Sequence, residues 1–323
     1  MSLHLLFVFL DGVGIGPEQV AVNPFVGAPI PTLRALADDA WPTLDSAHLT
    51  RQTLGASLVP ADATLGVSGL PQSGTGTTSL LTGTNAAALV GRHVGPYPPA
   101  AVRPLLAERG LFTEVARREG REAVAFANAY PPLFFERLAR RSARRTTTTQ
   151  AALAGGVRLR GLDDLLAGRA LSADITSGWW HRVAPEVPRV APREAGRRLG
   201  RLAMAHTLTV FEFFRTDHLG HRPDLSAAHA LLWEVDEMFA GVLETLDPAT
   251  SLLVIASDHG NCEDLSTSDH TRNPVPILLY GTGHVSLAAG IHALPDVTPV
   301  LLGWLDQCRA RAEGSKTELE PPD

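Results

Sequence analysis

The chain has 323 residues, 45% hydrophobic and 19% charged, with 29 Gly, 24 Pro and a formal net charge of −6. That is enough for one large α/β domain or two ordinary ones, and it excludes collagen-like, disordered and small disulfide-framework classes. A mildly acidic chain also lacks the electrostatic pull of nucleic-acid and anionic-membrane binders, so a small molecule is the expected partner and nucleic acid is not.

Taken in chain order, Leu5–Leu10 is the first apolar run. It is short, has no Lys or Arg before it and passes straight into Asp11-Gly12, so it reads as a buried strand and not as a signal peptide. Residues 47–76 carry small, polar and turn-forming side chains and read as an active-site loop. A helix is expected over Leu111–Glu119, bracketed by Gly110 and Gly120, followed by a strand over Ala123–Ala127. Residues 131–195 break the alternation with an Arg-rich segment, Thr146–Thr149 and Trp179-Trp180, and read as a small insertion.

A strand is expected at Leu208–Phe214 and a helix at Ser226–Leu246. In that helix Leu231, Leu232, Val235, Met238, Phe239, Val242 and Leu246 follow the i, i+3, i+4 rule, while Glu234, Asp236 and Glu237 face elsewhere. Strands at Leu252–Ala256 and Pro276–Tyr280 and a helix near Val297–Leu305 complete the pattern. After Asp306 the sequence turns polar, so residues 307–323 are expected to form a disordered tail. Strands alternating with helices predict an α/β catalytic domain over 1–306, with a mostly parallel central sheet flanked by helices and at most a small inserted cap.

No apolar run approaches the roughly 20 residues that span a bilayer, so no membrane partner is expected. Cys262 and Cys308 are the two cysteines and no CxxC pair exists, which argues against a disulfide scaffold or a cysteine zinc ribbon and for a cytoplasmic compartment.

Metal-ligating residue types gather just after the predicted strands. Asp11 follows the first; Asp217 and His221 follow the strand ending at Phe214; Asp258-His259 follow the one ending at Ala256; His270 lies eleven residues further on. Ligands in open α/β sheets bind outside the carboxyl ends of the strands, so these segments point at one crevice. Mixed carboxylate and imidazole donors suit a borderline divalent metal such as zinc or manganese. Singly, each Asp would more ordinarily be a helix cap or turn residue. Between the first two ligand groups runs Gly69-Leu70-Pro71-Gln72-Ser73-Gly74-Thr75-Gly76-Thr77-Thr78-Ser79-Leu80-Leu81-Thr82-Gly83. Small residues leading into a helix suit a nucleophile at a helix amino terminus, where backbone N–H groups stabilise a phosphate or sulfate. Without a Gly-Lys pair it is not a P-loop, and Pro17 rules against reading Gly12-Val13-Gly14-Ile15-Gly16 as a dinucleotide fingerprint.

The chain resembles the alkaline phosphatase superfamily of two-metal enzymes, in the branch of cofactor-independent phosphoglycerate mutase and phosphopentomutase. The resemblance rests on Phe9-Leu10-Asp11-Gly12-Val13-Gly14, Asp217-His218-Leu219-Gly220-His221, Ser257-Asp258-His259-Gly260-Asn261 and His270-Thr271-Arg272-Asn273-Pro274-Val275-Pro276. It implies that Ser73, ten residues before Gly83, is the nucleophile, with Thr75 the competitor. It further implies that Asp11, Ser73, Asp258 and His259 hold one divalent ion, Mn2+ or Zn2+, and that Asp217, His221 and His270 hold the other. The implied partner is a small phosphorylated substrate.

The mutases of this branch carry a large cap domain that keeps water from the phospho-enzyme. Here 143 residues separate Ser73 from Asp217, including a core strand, and the only lysine is Lys316. A hydrolase of a small phosphate ester acting through phospho-serine is therefore the expected activity. A phosphomutase of the phosphoglycerate or phosphopentose type is the alternative, and a non-catalytic metal-binding protein is the alternative of another class.

Overall fold

The computed structural model describes residues 3–317. A seven-stranded sheet, ordered β2-β3-β7-β6-β1-β5-β4, forms the middle layer. Its strands are β1 (His4–Leu10), β2 (Arg51–Gln52), β3 (Ala56–Ala61), β4 (Val124–Phe126), β5 (Leu208–Phe213), β6 (Ser251–Ala256) and β7 (Val275–Gly281). β1 pairs in parallel with β5 and β6, and β4 in parallel with β5. The sheet turns antiparallel at β6–β7, β7–β3 and β3–β2, so it is mixed, with five strands running one way and β2 and β7 the other.

β1 shows why its run is continuously apolar. Leu5, Phe7 and Phe9 enter the core on one face of the sheet and Leu6, Val8 and Leu10 the core on the other, because a central parallel strand is covered on both sides. The first core includes Leu80 and Leu81 of the Ser73–Thr82 helix, Phe112 and Val115 of the Leu111–Glu119 helix, and Ala151 and Ala152 of the Thr147–Ala154 helix. The second core takes the Pro192–Ala203 and Leu225–Leu243 helices. Asp224 caps the latter, its carboxylate accepting the Ala227 N–H at 2.9 Å, which fixes the helix start.

Four expectations need correction. The 47–76 segment is not loop throughout, since β2 and β3 lie in it; β3 pairs antiparallel with β7 along its whole length. Asp236 does not face solvent with its neighbours: its buried carboxylate accepts the Thr32 and Leu33 N–H groups at 3.1 and 2.8 Å and so caps the Pro31–Leu36 helix. The last helix runs from Leu294 to Thr317, so the residues just after Asp306 continue a helix; 318–323 lie outside the described residues. Finally, residues 131–195 partly join the main core through Ala151, Ala152, Val157 and Leu159, while Trp180 belongs to a satellite cluster with Leu165, Ala184 and Val187.

Candidate metal centre and nucleophile

Ser73 is the first residue of its helix and follows Gln72, the extended cap. The helix can begin against the end of β6 because Gly76 has no side chain; a Cβ there would meet the Asp258 carbonyl oxygen at 2.7 Å. One turn on, Thr77 Oγ1 donates to Asp258 Oδ2 at 2.6 Å. Ser73 Oγ thereby stands 3.0 Å from His259 Nε2. Thr75, by contrast, is fully buried, and its hydroxyl is spent on backbone: it donates to the Gln72 carbonyl and accepts the Val94 N–H, both at 3.2 Å.

All seven residues singled out from the sequence converge. Asp11, Asp258 and His259 bring ligand atoms within 4.8 Å of one another, and so do Asp217, His259 and His270. His259 Nε2 is 3.3 Å from Asp11 Oδ1 and 3.7 Å from Asp258 Oδ1. His221, half-exposed, closes the second group, with its Nε2 3.4 Å from Asp217 Oδ2 and 3.2 Å from His270 Nε2. The rings of His259 and His270 stack with centroids 3.8 Å apart, so the two groups share one wall.

Backbone carbonyls set the imidazoles. His270 Nδ1–H donates to the Pro71 carbonyl at 2.7 Å, His221 Nδ1–H to that of Ser268 at 2.8 Å, and His259 Nδ1–H to that of Gly260 at 3.3 Å. In the neutral rings every Nε2 lone pair is then aimed into the cluster, as a metal-ligating histidine requires. Two such lone pairs face each other across 3.2 Å at His221 and His270, which a shared cation relieves. Asp11 Oδ1 and Asp258 Oδ1 are buried without a hydrogen-bond partner, a costly state for carboxylate oxygens that are not ligands. The donor set therefore fits divalent metal, in two groups, Asp11, Asp258 and His259 and Asp217, His259 and His270, that share His259.

Concentrated negative charge shapes the titration of this cluster. Burial, then the Asp258 charge, pushes the Asp11 carboxyl well above its usual value. Burial opposes ionisation of Asp217 too, but the hydrogen bond with His270 and the charge of His259 hold it below the usual range. For His259, burial favours the neutral ring, yet Asp258, Asp11 and Asp217 together push it up to about 10. A site that binds a proton this tightly is one built for positive charge.

A further carboxylate, absent from the sequence reading, braces the loops. Glu263 is fully buried and accepts the N–H groups of Gly14 and Asn261, the Thr271 hydroxyl and the Asn273 amide at 2.9, 2.7, 2.5 and 3.0 Å. It ties the loop after β1 to the segments carrying Asp258 and His270. Asn261 in turn donates to Asp217 Oδ1 at 2.7 Å. Gly12 makes room for that carboxylate: it has φ +69°, and a Cβ would meet Asp217 at 2.9 Å.

Beside the cluster, at the carboxyl end of β5, lies a cavity of about 300 Å³ walled by Tyr130, Phe134, Trp179, Trp180 and Phe214. Its polar lining includes Glu212, Arg144 and Thr146. Thr146 Oγ1 donates to Glu212 Oε2 at 3.0 Å, and burial pushes the Glu212 carboxyl up to about 7. The tandem tryptophans thus divide their roles, Trp180 packing inside and Trp179 standing half-exposed at the cavity wall.

Other residues near the motifs serve the fold. Asn85 caps the Ala86–Val90 helix, its side chain accepting the Ala88 N–H at 2.9 Å. His93 Nε2 donates to the Thr64 carbonyl at 3.1 Å, and Arg92 is exposed. His218 is exposed and lies edge-on to Phe214, with ring centroids 5.1 Å apart. Cys262 is buried, with burial pushing its thiol well above the usual range.

The Metalloenzyme superfamily model matches residues 4–303. The chain belongs to that superfamily, as its four motifs led one to expect. Curated relatives cover part of it. The 2,3-bisphosphoglycerate-independent phosphoglycerate mutase of Cereibacter sphaeroides is 32% identical over 120 residues, 35% of this chain and 23% of that protein. Its counterpart from Syntrophotalea carbinolica is 31% identical over 138 residues, 41% of this chain and 27% of that protein. The chain thus matches about a quarter of the length of these relatives. The PH0037 protein from Pyrococcus horikoshii has the same fold, with a TM-score of 0.57 at 14% identity over 95% of this chain and 98% of that one. Among the described residues no helix is long and apolar enough to cross a membrane.

Proposed function

We propose that the chain is a two-metal phosphoryl-transfer enzyme that hydrolyses a small phosphate ester through phospho-Ser73. The observation that carries this reading is Ser73 Oγ at a helix amino terminus, 3.0 Å from His259 Nε2 and amid the Asp/His cluster. Two divalent ions, Mn2+ or Zn2+, would be held by Asp11, Ser73, Asp258 and His259 and by Asp217, His221 and His270, and would supply Lewis acidity toward the Ser73 hydroxyl and the phosphoryl oxygens.

Ser73 Oγ attacks phosphorus in line as the ester bond opposite breaks, and the departing alcohol takes a proton from water. The N–H groups of Ser73 and Gly74, in the first helical turn, have no intrahelical acceptor and are available to the phosphoryl oxygens. The aromatic cavity beside Glu212 suits the organic part of the ester, which its walls would hold against Phe214, three residues before Asp217. Water then attacks phospho-Ser73 on the side the alcohol has left; the Oγ–P bond breaks, phosphate departs and Ser73 regains its proton.

Hydrolysis is favoured over mutase chemistry because much of 131–195 is spent on helices that pack into the main core or the satellite cluster. A mutase needs a lid that keeps its phospho-enzyme dry. The similarity to segments of phosphoglycerate mutases supports phosphomutase activity as the second reading. Incubation of the manganese- or zinc-loaded protein with a panel of phosphate monoesters, sugar phosphates and phosphoglycerate separates the two. Hydrolysis gives free phosphate in excess on every substrate turned over; isomerised product exceeding phosphate release tenfold on any of them establishes the mutase.

A further inference from the structure

A second concave site shares no residue with the metal-ligand cluster. It is a pocket of about 560 Å³ at the β4 edge of the sheet, lined by Arg121, Arg158, Arg160, Arg169, Arg198 and Arg201. Glu122, just before β4, and His206, just before β5, also line it, so it lies toward the strand ends opposite those that carry Asp11 and Asp217. Four of the arginines share two carboxylates. Arg158 and Arg169 approach Asp164 at 2.7 and 3.7 Å, and Arg201 and Arg198 approach Glu194 at 2.9 and 3.5 Å. With Glu122 counted, six guanidiniums face three carboxylates, a local excess of three positive charges on a chain whose net charge is −6.

Arg160 is the telling member. It is only 7% exposed, its Nε has no hydrogen-bond partner, and among the described residues no carboxylate forms an ion pair with it. Burial, reinforced by the charge of Arg158, holds its guanidinium below the usual value. Asp164, whose charge reaches Arg160, is already paired with Arg158 and Arg169, so this buried guanidinium, lining a pocket with five other arginines, is left short of negative charge. Guanidinium forks match phosphate oxygens two at a time, and here they come from four separate segments around one hollow.

We propose that this pocket binds a small polyanion carrying two or more phosphate groups, with Arg160 as its central anchor. The pocket's concave shape and the net acidity of the chain favour a compact ligand over an extended nucleic acid. The proposal stands apart from the reading of Ser73, since none of the pocket residues touches that site.

The probe is methylenediphosphonate, whose P–C–P bridge resists hydrolysis, titrated calorimetrically into the metal-loaded protein with a blank for chelation of the metal alone. Micromolar binding is expected in the wild type and in Ser73→Ala, weakened at least tenfold in Arg160→Met and in Arg121→Ala. Phosphate-ester turnover should be unchanged in both arginine variants. If Arg160→Met does not fold, Arg121→Ala, at an exposed position, decides alone. Absence of wild-type binding up to 1 mM, equal affinity in the arginine variants, or loss of binding in Ser73→Ala overturns the proposal. So does tighter, Arg160-dependent binding of a single-stranded oligonucleotide.

Discussion

Thr77 Oγ1 donates to Asp258 Oδ2 at 2.6 Å, so the helix that presents Ser73 and the strand end that presents Asp258 and His259 are joined by one buried hydrogen bond. The other oxygen of Asp258 is left free to act as a ligand. Thr77→Val keeps the shape and removes the donor. Loss of such a partner typically weakens metal affinity by 10- to 100-fold, and titration with zinc against a competing chelator should show a drop of about that size with the far-ultraviolet circular dichroism unchanged.

Ser73→Ala should abolish turnover with the melting temperature nearly unchanged. Thr75→Ala should do the reverse: its buried hydroxyl holds the Gln72 and Val94 backbone, so about 1 kcal/mol of stability is lost while most of the activity remains. A dead Thr75→Ala enzyme beside an active Ser73→Ala enzyme would reverse the assignment of the nucleophile. Rapid quench of the wild type with radiolabelled ester should leave label on Ser73.

Elemental analysis of manganese- or zinc-saturated protein should give about two ions per chain. His270→Ala and Asp258→Asn should each lose roughly one ion along with activity. Because the His259 ring lies against that of His270 and also borders Asp11 and Asp258, His259→Ala should lose more metal than either. A wild type that retains fewer than one ion under saturation removes the two-metal reading.

Glu212 gives a pH dependence with a definite sign. Its carboxyl is raised by burial from an ordinary 4.5 to about 7, so the folded state holds the proton more tightly than the unfolded chain does. The contribution to stability is complete below about pH 4.5 and is lost as pH rises through 7. Glu212→Gln cannot ionise and should be the more stable protein above pH 7, by an amount on the order of a few kcal/mol. Urea titrations of both proteins at pH 5 and pH 8 test this, and an equal difference at the two values contradicts it.

Gly76→Ala should cost activity through distance. The added Cβ meets the Asp258 carbonyl at 2.7 Å, which must push the Ser73 helix away from β6, and a displacement near 1 Å is enough to cost about 100-fold in rate. Metal affinity should fall as well, since Thr77, which holds Asp258, moves with the same helix as Ser73.

The readable parts of the sequence were those where one local signal sufficed. β1, β5 and β6 are covered on both faces, so their apolar runs stand out, and the Asp and His residues after them fall at the strand ends where an α/β crevice opens. β3 gave no such signal, because Ala56-Ser57-Leu58-Val59-Pro60-Ala61 mixes small residues with a proline, and its strand state depends on β7, more than 200 positions away. Glu263 was silent for the same reason: three of its four donors lie outside its own turn, on Gly14, Thr271 and Asn273. Asp236 looked like one more charge on an acidic helix face, and only Thr32 and Leu33 reveal its cap. Glu212 did leave a trace, a carboxylate inside the apolar strand Leu208–Phe213, where an unpaired charge would ordinarily be excluded.

Of the seven strands, the first in chain order lies inside the sheet, between β6 and β5. Leu5 pairs with Leu208 on one side and with Leu252 on the other, so during vectorial synthesis both edges of β1 stay bare until β5, Leu208–Phe213, has left the ribosome. Seven consecutive residues, His4 to Leu10, spend that interval as an unpartnered, strongly apolar strand, a template for pairing with other nascent chains. Any chain released before Leu208 lacks both neighbours, and with them Asp217, Asp258, His259 and His270; it would aggregate or be degraded and could not persist as a partial enzyme. Loop closure over such separations makes folding slow, so a chaperone that holds β1 while translation continues should raise the yield of active protein.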